Sequence, residues 1–342
     1  MSESRKIGYY IVVMASIVVV LAGIKSAVAI VVPFLLSLFI AIILSPLYGF
    51  LRRKGLPSIV ALALTIIPFL VFLALVAGLI GDSVQDFSSK TDFYSQKLSE
   101  YYLHLANLAS SYGINLPVAE FSKLLNTAQI MKFVTRVIRS MGSLFTNGFV
   151  VILTVIFILL EFDSFIEKIV VANREGDARK QIDDILDHIK SYMVIKAAIS
   201  LLTGLVVWLG LLYIGTDYAF LWGVLAFVFN FIPNIGSIIA AVPAVLITLV
   251  QLGGVDALLV AVFYFLVNIL VGSVLEPRVM GEGVGLSTLV VFLSLLFWGW
   301  LLGLVGMLLS IPLTIMAKIA FNANEETRWL AVLLGNEKES LS

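Results

Sequence analysis

The chain has 342 residues and no net formal charge; 61% of the residues are hydrophobic and 13% are charged, against about 25% charged in an ordinary soluble domain. This composition excludes a water-soluble globular protein and gives no indication of a nucleic-acid partner. Because the sequence contains no cysteine, it excludes a disulfide scaffold, a thiolate metal site and a cysteine nucleophile.

Eight segments without Asp, Glu, Lys, Arg or His are apolar and long enough to cross a bilayer as helices. The first follows Arg5 and Lys6 and has the order of a signal peptide without a convincing cleavage site, so we interpret it as a span. The sequence therefore predicts an all-α, polytopic helical membrane protein with about eight transmembrane segments. These segments are 7–24, 26–51, 58–80, 142–160, 197–216, 218–250, 257–275 and 283–317.

Charges beside the first spans predict how the chain enters the membrane. Arg5 and Lys6 precede the first span and the basic residues 52–54 follow the second, whereas Lys25 stands alone between them. Because basic residues favour the cytoplasmic side, we expect a cytoplasmic N-terminus. Eight crossings would return the tail, 321–342, to the same side.

Two polar stretches separate groups of spans, and both have helical spacing of apolar residues. Residues 81–141 follow the three spans of 1–80 and predict an extracytoplasmic amphipathic lobe, which either packs on the bilayer or on neighbouring subunits, or acts as a substrate gate. Residues 161–196 predict a cytoplasmic amphipathic hairpin that turns near 173–176, with a charged face typical of solvated surface. The transmembrane bundle with the transport pathway would then occupy 197–320.

The segment 218–250 is too long for one simple span. A continuous helix of this length would reach about 50 Å, against a hydrocarbon thickness of about 30 Å. Its middle contains Asn230, Pro233, Asn234 and Gly236; proline removes a backbone donor and glycine relaxes the backbone. We expect this segment either to be a broken span or to fold back as a re-entrant hairpin.

The segment 283–317 has the same length problem, with Gly299, Gly303, Gly306 and Pro312 as its weak points. Irregular backbone inside a membrane is tolerated where protein or a water-filled cavity satisfies it, and in transporters such breaks lie at the binding site. The alternative is a kink with close helix packing, since Gly299 and Gly303 form a small-residue pair.

Polar side chains near the first break are the candidates for a substrate pathway. Asparagine amides need partners that hydrocarbon cannot supply, so these side chains must meet each other, freed backbone, water or a ligand. The candidate pathway residues are Asn230, Pro233, Asn234, Gly236, Ser237 and Asn268.

The loop that begins with Glu276, Pro277 and Arg278 is a candidate for gating or ion coupling. If both flanking segments are simple spans, its charges are solvated at the surface. If either segment folds back, the loop lies deeper, and the carboxylate and guanidinium pair with each other or meet a substrate or ion.

The sequence has no nucleotide-binding loop, zinc-binding His-Glu-x-x-His motif or nucleophile elbow. Enzymatic chemistry is therefore unsupported, and we expect neither a cofactor nor a metal. Without a phosphate-binding motif, transport would use an existing gradient or run downhill.

Three motifs resemble the autoinducer-2 exporter family: residues 232–236 (Ile-Pro-Asn-Ile-Gly), residues 276–281 (Glu-Pro-Arg-Val-Met-Gly), and the run from Leu286 through Trp298 to Pro312. The resemblance implies a bacterial inner-membrane protein that forms a homo-oligomer, such as a pentamer, and exports the quorum-sensing signal autoinducer-2. Some relatives are similar to sodium/proton antiporters instead, so the family alone leaves both substrates open.

The residues favour the signal over an ion. Autoinducer-2 is small, uncharged and rich in hydroxyls, which suits the amides and hydroxyl of Asn230, Asn234, Ser237 and Asn268. An antiporter usually needs a carboxylate at depth, and the spans contain none. The antiporter hypothesis requires Glu276 to be drawn inward, and a non-transporting scaffold is the third alternative.

Overall fold

A computed structural model describes residues 3–111, 148–172, 178–233, 235–280, 285–322 and 325–335. Over these ranges the chain is helical, and its β structure is a single antiparallel bridge between Leu286 and Gly335. The helices are α1 (Glu3–Ser26), α2 (Val28–Arg53), α3 (Ser58–Ser89), α4 (Thr91–Ser111), α5 (Gly148–Ala172), α6 (Ala178–Ile214), α7 (Ala219–Phe229), α8 (Gly236–Gln251), α9 (Gly254–Val267), a π-helix (Asn268–Leu275), α10 (Glu276–Met280), α11 (Thr288–Leu308), α12 (Ser310–Asn322) and α13 (Arg328–Leu334).

Five helical stretches among the described residues are long and apolar enough to cross a membrane, and large apolar side chains such as Ile30, Ile59 and Phe149 are exposed on them and on the shorter apolar helices. This is the surface expected where the solvent is lipid. The predicted all-α, polytopic membrane fold is therefore confirmed. The five stretches are Val28–Arg53, Ser58–Ser89, Ile189–Ile214, Gly254–Met280 and Thr288–Leu308.

The chain forms two compact units. The first comprises Met1–Leu62, Phe149–Val194 and Glu282–Ser342, and the second comprises Ala63–Gly148 and Ile195–Gly281. In the first unit the hydroxyl of Ser37 donates to the carbonyl of Val151 at 3.1 Å and so joins α2 to α5.

The first long segment folds back on itself inside the second unit. The hydroxyls of Thr216 and Thr248 lie 3.0 Å apart, and the amide of Asp217 donates to the side-chain oxygen of Gln251 at 2.7 Å. In a continuous helix, residues 216 and 248 would lie about 48 Å apart. Helices α7 and α8 therefore form a re-entrant hairpin whose tip lies between the end of α7 at Phe229 and the start of α8 at Gly236.

Glycine and proline explain why the chain turns at this tip. A Cβ on Gly236 would overlap the carbonyl oxygen of Phe229, so only glycine fits where α8 returns past the end of α7. Pro233 lies between them and has no N–H that would need a helical partner. The tip therefore depends on the residue types from which the break was predicted.

The second long segment also folds back, inside the first unit. The indole of Trp298 donates to the hydroxyl of Thr314 at 3.0 Å, and the Lys318 ammonium donates to the Gly285 carbonyl at 2.7 Å. The turn uses a left-handed backbone at Gly303, with φ of 70°. A Cβ on Gly306 would overlap the carbonyl of Trp298, so this hairpin, like the first, returns past its own helix end at a glycine.

Folding back reduces the number of crossings. Eight straight crossings would place Lys196 and Glu276 on opposite faces of the bilayer, yet these side chains form an ion pair. If the segment 218–250 returns to the face that it entered from, the two residues lie at the same end of their helices. Both long segments thus fold back on themselves, so six of the eight predicted segments remain as candidates for single crossings.

The polar stretches are described in part. Helix α3 continues past residue 80 to Ser89, and α4 follows it to Ser111; residues 112–147 of the predicted lobe lie outside the described residues. Helices α5 and α6 flank the turn predicted near 173–176, which also lies outside them. The tail contains α13, and 336–342 are outside the described residues.

Candidate functional site

A cavity lies in the second unit where three elements meet: α6, the tip of the first hairpin, and the helix formed by α9 and the π-helix. Its interior is only wide enough for about one water molecule. The cavity is lined by Thr203, Val207, Ala226, Asn230, Ser237, Ala240, Tyr264, Val267, Asn268, Val271 and Gly272.

Five side chains give this cavity its polar character, and the hydroxyl of one of them, Thr203, donates to its own helix backbone. The Asn230 amide donates to the hydroxyl of Ser200 at 2.9 Å, which fixes the amide at the tip of the hairpin. Asn268 lines the opposite wall. The hydroxyls of Ser237 and Tyr264 are buried and have no hydrogen-bond partner among the described residues. Such an unsatisfied group costs about 1–3 kcal/mol, and both hydroxyls are free to bond a water or another small molecule.

The wall formed by α9 is irregular at the level of the cavity. Tyr264 and Asn268 are four residues apart and so lie on one face, and the helix changes from α to π at Asn268. π-Helical geometry is rare and often marks functional sites, because the wider turn redirects side chains. Here Asn268, Val271 and Gly272 of the π-helix all line the cavity.

A buried ion pair lies one helical turn beyond the cavity. Lys196 on α6 is four residues before Ser200, and Glu276 is four residues after Gly272. Their ammonium and carboxylate groups are 2.5 Å apart, with 4% and 20% of the side chains exposed. Arg278 and Pro277 are exposed, and Glu276 pairs with Lys196; a pair with Arg278 was one of the alternatives expected for a folded-back segment.

A polar network closes the base of the first hairpin. Tyr94 on α4 donates to the Asp217 carboxylate at 3.0 Å, and Tyr218 donates to the Asp86 carboxylate on α3 at 2.8 Å. Gln251 holds Asp217 from the other arm of the hairpin. Burial raises the pKa of Tyr94 to about 12, so its phenol remains a donor at physiological pH.

The sequence is similar to those of known transport proteins. A sequence model of the AI-2E family transporter matches residues 14–326. The chain is 38% identical over 327 residues to the AI-2 transport protein TqsA of Escherichia coli (strain K12), which covers 95% of each chain. It is 40% identical over 332 residues to a putative transport protein of Haemophilus influenzae, with 95% of each chain covered. The putative transport protein YhhT of Escherichia coli (strain K12) is 35% identical over 335 residues, which are 97% of this chain and 96% of YhhT.

The chain belongs to the AI-2E transporter family. A membrane transporter is not an enzyme, and an AI-2E family transporter needs a solute and a bilayer as its partners. The buried cavity and the re-entrant hairpin beside it are therefore features of a membrane transporter.

The structure of this AI-2E transporter brings together three of the predicted pathway residues. Asn230, Ser237 and Asn268 line one cavity, while Pro233 and Gly236 shape the hairpin tip beside it. Asn234 lies outside the described residues. The predicted residues of the second hairpin are in the other unit, where the backbone turns at Gly303, both Gly299 and Gly306 lie close against the opposite arm, and Pro312 is buried in α12.

Sequence reasoning missed two residues of the transporter. Tyr264 lies one turn before Asn268, so its position on the cavity face could have been found from the spacing of the asparagine. Lys196 was assigned to a polar stretch, although it lies on the same α6 face as Ser200 and Thr203.

Proposed function

We propose that this AI-2E transporter exports autoinducer-2, or a similar small polar solute, across the bacterial inner membrane through the cavity at the tip of the first hairpin. The observation that carries this proposal is the pair of unpartnered hydroxyls, Ser237 and Tyr264, in a buried cavity that Asn230 and Asn268 also line. A neutral, hydroxyl-rich solute supplies the missing hydrogen bonds.

The position of the cavity supports a transport role. It lies where the backbone of the first hairpin turns within the apolar part of the chain, and such interrupted helices build substrate sites in other transporters. Because the cavity is about one water molecule wide, the structure has the site closed, and the cavity must widen to admit a solute.

The proposal is tested by measuring autoinducer-2 inside and outside cells with and without the protein. We expect the protein to raise the extracellular share, and Asn230→Ala and Asn268→Ala to reduce export about tenfold, since each removes one or two hydrogen bonds. Asn107→Ala, at an exposed position on α4, is the matched control. Unchanged partitioning with and without the protein would overturn the proposal.

A second candidate function is sodium/proton antiport, which the Lys196–Glu276 pair favours because it places a carboxylate against a buried ammonium. This hypothesis predicts sodium-dependent proton movement in vesicles that disappears in Glu276→Gln. A non-transporting scaffold would show neither this movement nor signal export. Signal export without sodium-dependent proton movement would reject the antiporter.

We also propose that both termini are cytoplasmic and that the transporter is a homo-oligomer, such as a pentamer. The even number of crossings that the two hairpins leave, together with Arg5 and Lys6 before the first span, supports the orientation. Reporter fusions at each terminus test the orientation, and the mass of the detergent-solubilised particle tests the oligomer.

A further inference from the structure

The phenol of Tyr264 stands out among the cavity-lining groups. Its side chain is 5% exposed, it lines the cavity from α9, and its hydroxyl has no partner among the residues that the structure describes. Buried tyrosine hydroxyls normally find a hydrogen-bond partner, and phenylalanine would fill the same volume without the cost. The hydroxyl is therefore placed to serve a molecule that enters the cavity.

Ser237 presents a second hydroxyl of the same kind from a different element. It lies in the first turn of α8, on the returning arm of the hairpin, and its oxygen is also buried without a described partner. A hydroxyl both donates and accepts, so each of these two groups can either donate a hydrogen bond to a hydroxyl of the solute or accept one from it. Asn230 differs, since one of its amide protons is already given to Ser200.

Charge is missing from the walls of this cavity. The residues that line it, within the described part of the chain, include no Asp, Glu, Lys, Arg or His. The buried charges next along the helices, Lys196 and Glu276, neutralise each other. An ion that entered would lose its hydration and meet no counter-charge, whereas an uncharged solute would lose only hydrogen bonds that the walls can replace.

We infer that Tyr264 and Ser237 determine the specificity of this cavity: they hydrogen-bond hydroxyl groups of an uncharged, polyhydroxylated solute, and the cavity rejects ions and solutes that lack those hydroxyls. The inference rests on the proposed function, because it takes the cavity to be the solute site. It adds which two hydroxyl groups contact the solute and which chemical class of solute they select.

The test is ligand binding to the full-length chain in detergent, measured as the rise in its thermal unfolding midpoint with ligand concentration. The probes are autoinducer-2, an analogue that lacks one hydroxyl, and sodium chloride. We expect wild type to bind autoinducer-2 about tenfold more tightly than the analogue, since one neutral hydrogen bond is lost. Sodium chloride at matched ionic strength should not compete.

Tyr264→Phe and Ser237→Ala are the deciding variants, because each removes a single unpartnered oxygen. We expect at least one of them to bind autoinducer-2 about tenfold more weakly and the analogue unchanged, so that the preference disappears. Matched controls are Tyr213→Phe, whose side chain is 93% exposed, and Ser16→Ala, whose hydroxyl bonds its own helix backbone. A merely structural role would leave the preference at its wild-type value.

The outcomes separate this inference from the proposed function. If cells export the signal but both variants keep the wild-type preference, the inference is overturned and export stands. If sodium stabilises wild type and Tyr264→Phe abolishes that effect, the cavity is an ion site and the inference is overturned. If the binding preference depends on Tyr264 or Ser237 but cells show unchanged signal partitioning, the inference stands and autoinducer-2 export fails.

Discussion

The side chains of Lys196 and Glu276 form a buried ion pair across 80 residues of sequence. Lys196 belongs to α6, and Glu276 begins α10 directly after the π-helix that lines the cavity. The pair therefore ties the end of the π-helix to α6 at one end of the cavity. A movement of the π-helix that widens the cavity would have to carry this pair with it or break it.

Neutralising one member of the pair should be costly. Glu276→Gln leaves the Lys196 ammonium buried without its counter-charge, and we expect a loss of about 3 kcal/mol of stability. The measurement is the thermal unfolding midpoint of the detergent-solubilised protein. The double variant Lys196→Met with Glu276→Leu should recover most of the loss, and a double variant no more stable than the single one would show that the pair is not the cause.

The first hairpin can be tested by cross-linking, because the sequence has no cysteine of its own. With Thr216→Cys and Thr248→Cys together, we expect oxidation of the folded protein to protect both thiols from maleimide labelling after denaturation, and a reductant to restore the labelling. The two hydroxyls lie 3.0 Å apart, so these positions are within reach of a disulfide. The control pair, Thr216→Cys with Ser237→Cys, joins base and tip and should stay labelled; a straight segment would leave both pairs labelled.

Substituting the tip glycine should damage the hairpin. A Cβ at Gly236 would overlap the Phe229 carbonyl, so Gly236→Ala forces the backbone apart and should cost about 3 kcal/mol, seen as a lower unfolding midpoint. Gly49→Ala is the control, since no atom lies within 4 Å of a Cβ there and alanine favours a helix. Equal midpoints for the two variants would contradict the described turn.

Tyr94 predicts a pH dependence for the network at the hairpin base. Its pKa is raised by burial from 10.0 to about 12, so the folded chain holds the phenol proton more tightly than the unfolded chain. The stabilisation is fully present below pH 10 and is lost as the pH rises through 12. Between these values the unfolding midpoint of wild type should fall more steeply than that of Tyr94→Phe, and parallel curves would exclude this role for Tyr94.

Much of the fold follows from local sequence properties. Uncharged apolar runs specify the helices because hydrocarbon tolerates only backbone that is hydrogen-bonded within the segment. Gly236 and Gly303 could be recognised as break points because glycine and proline both interrupt a helix where they occur close together. The choice between a broken span and a fold-back could not be predicted, because it is decided by contacts such as Thr216 with Thr248, 32 residues apart.

The candidate site, too, could be predicted from the sequence only in part. Asn230 and Asn268 could be singled out because an amide in hydrocarbon needs a partner whatever the fold. The spacing to Asn268 places Tyr264 on the same helix face, but only the fold shows that its hydroxyl lacks a described partner. Lys196 was placed outside the span because hydropathy penalises a lone charge, and its partner is distant in the sequence.

The tip of the first hairpin brings the C-terminal end of α7 next to the N-terminal end of α8. The backbone dipoles give the first end a partial negative charge and the second a partial positive charge, so the two nearly cancel at the cavity. A cation or an anion therefore gains little from the helix ends. A hydroxyl gains from both, since it can donate toward one helix and accept from the other.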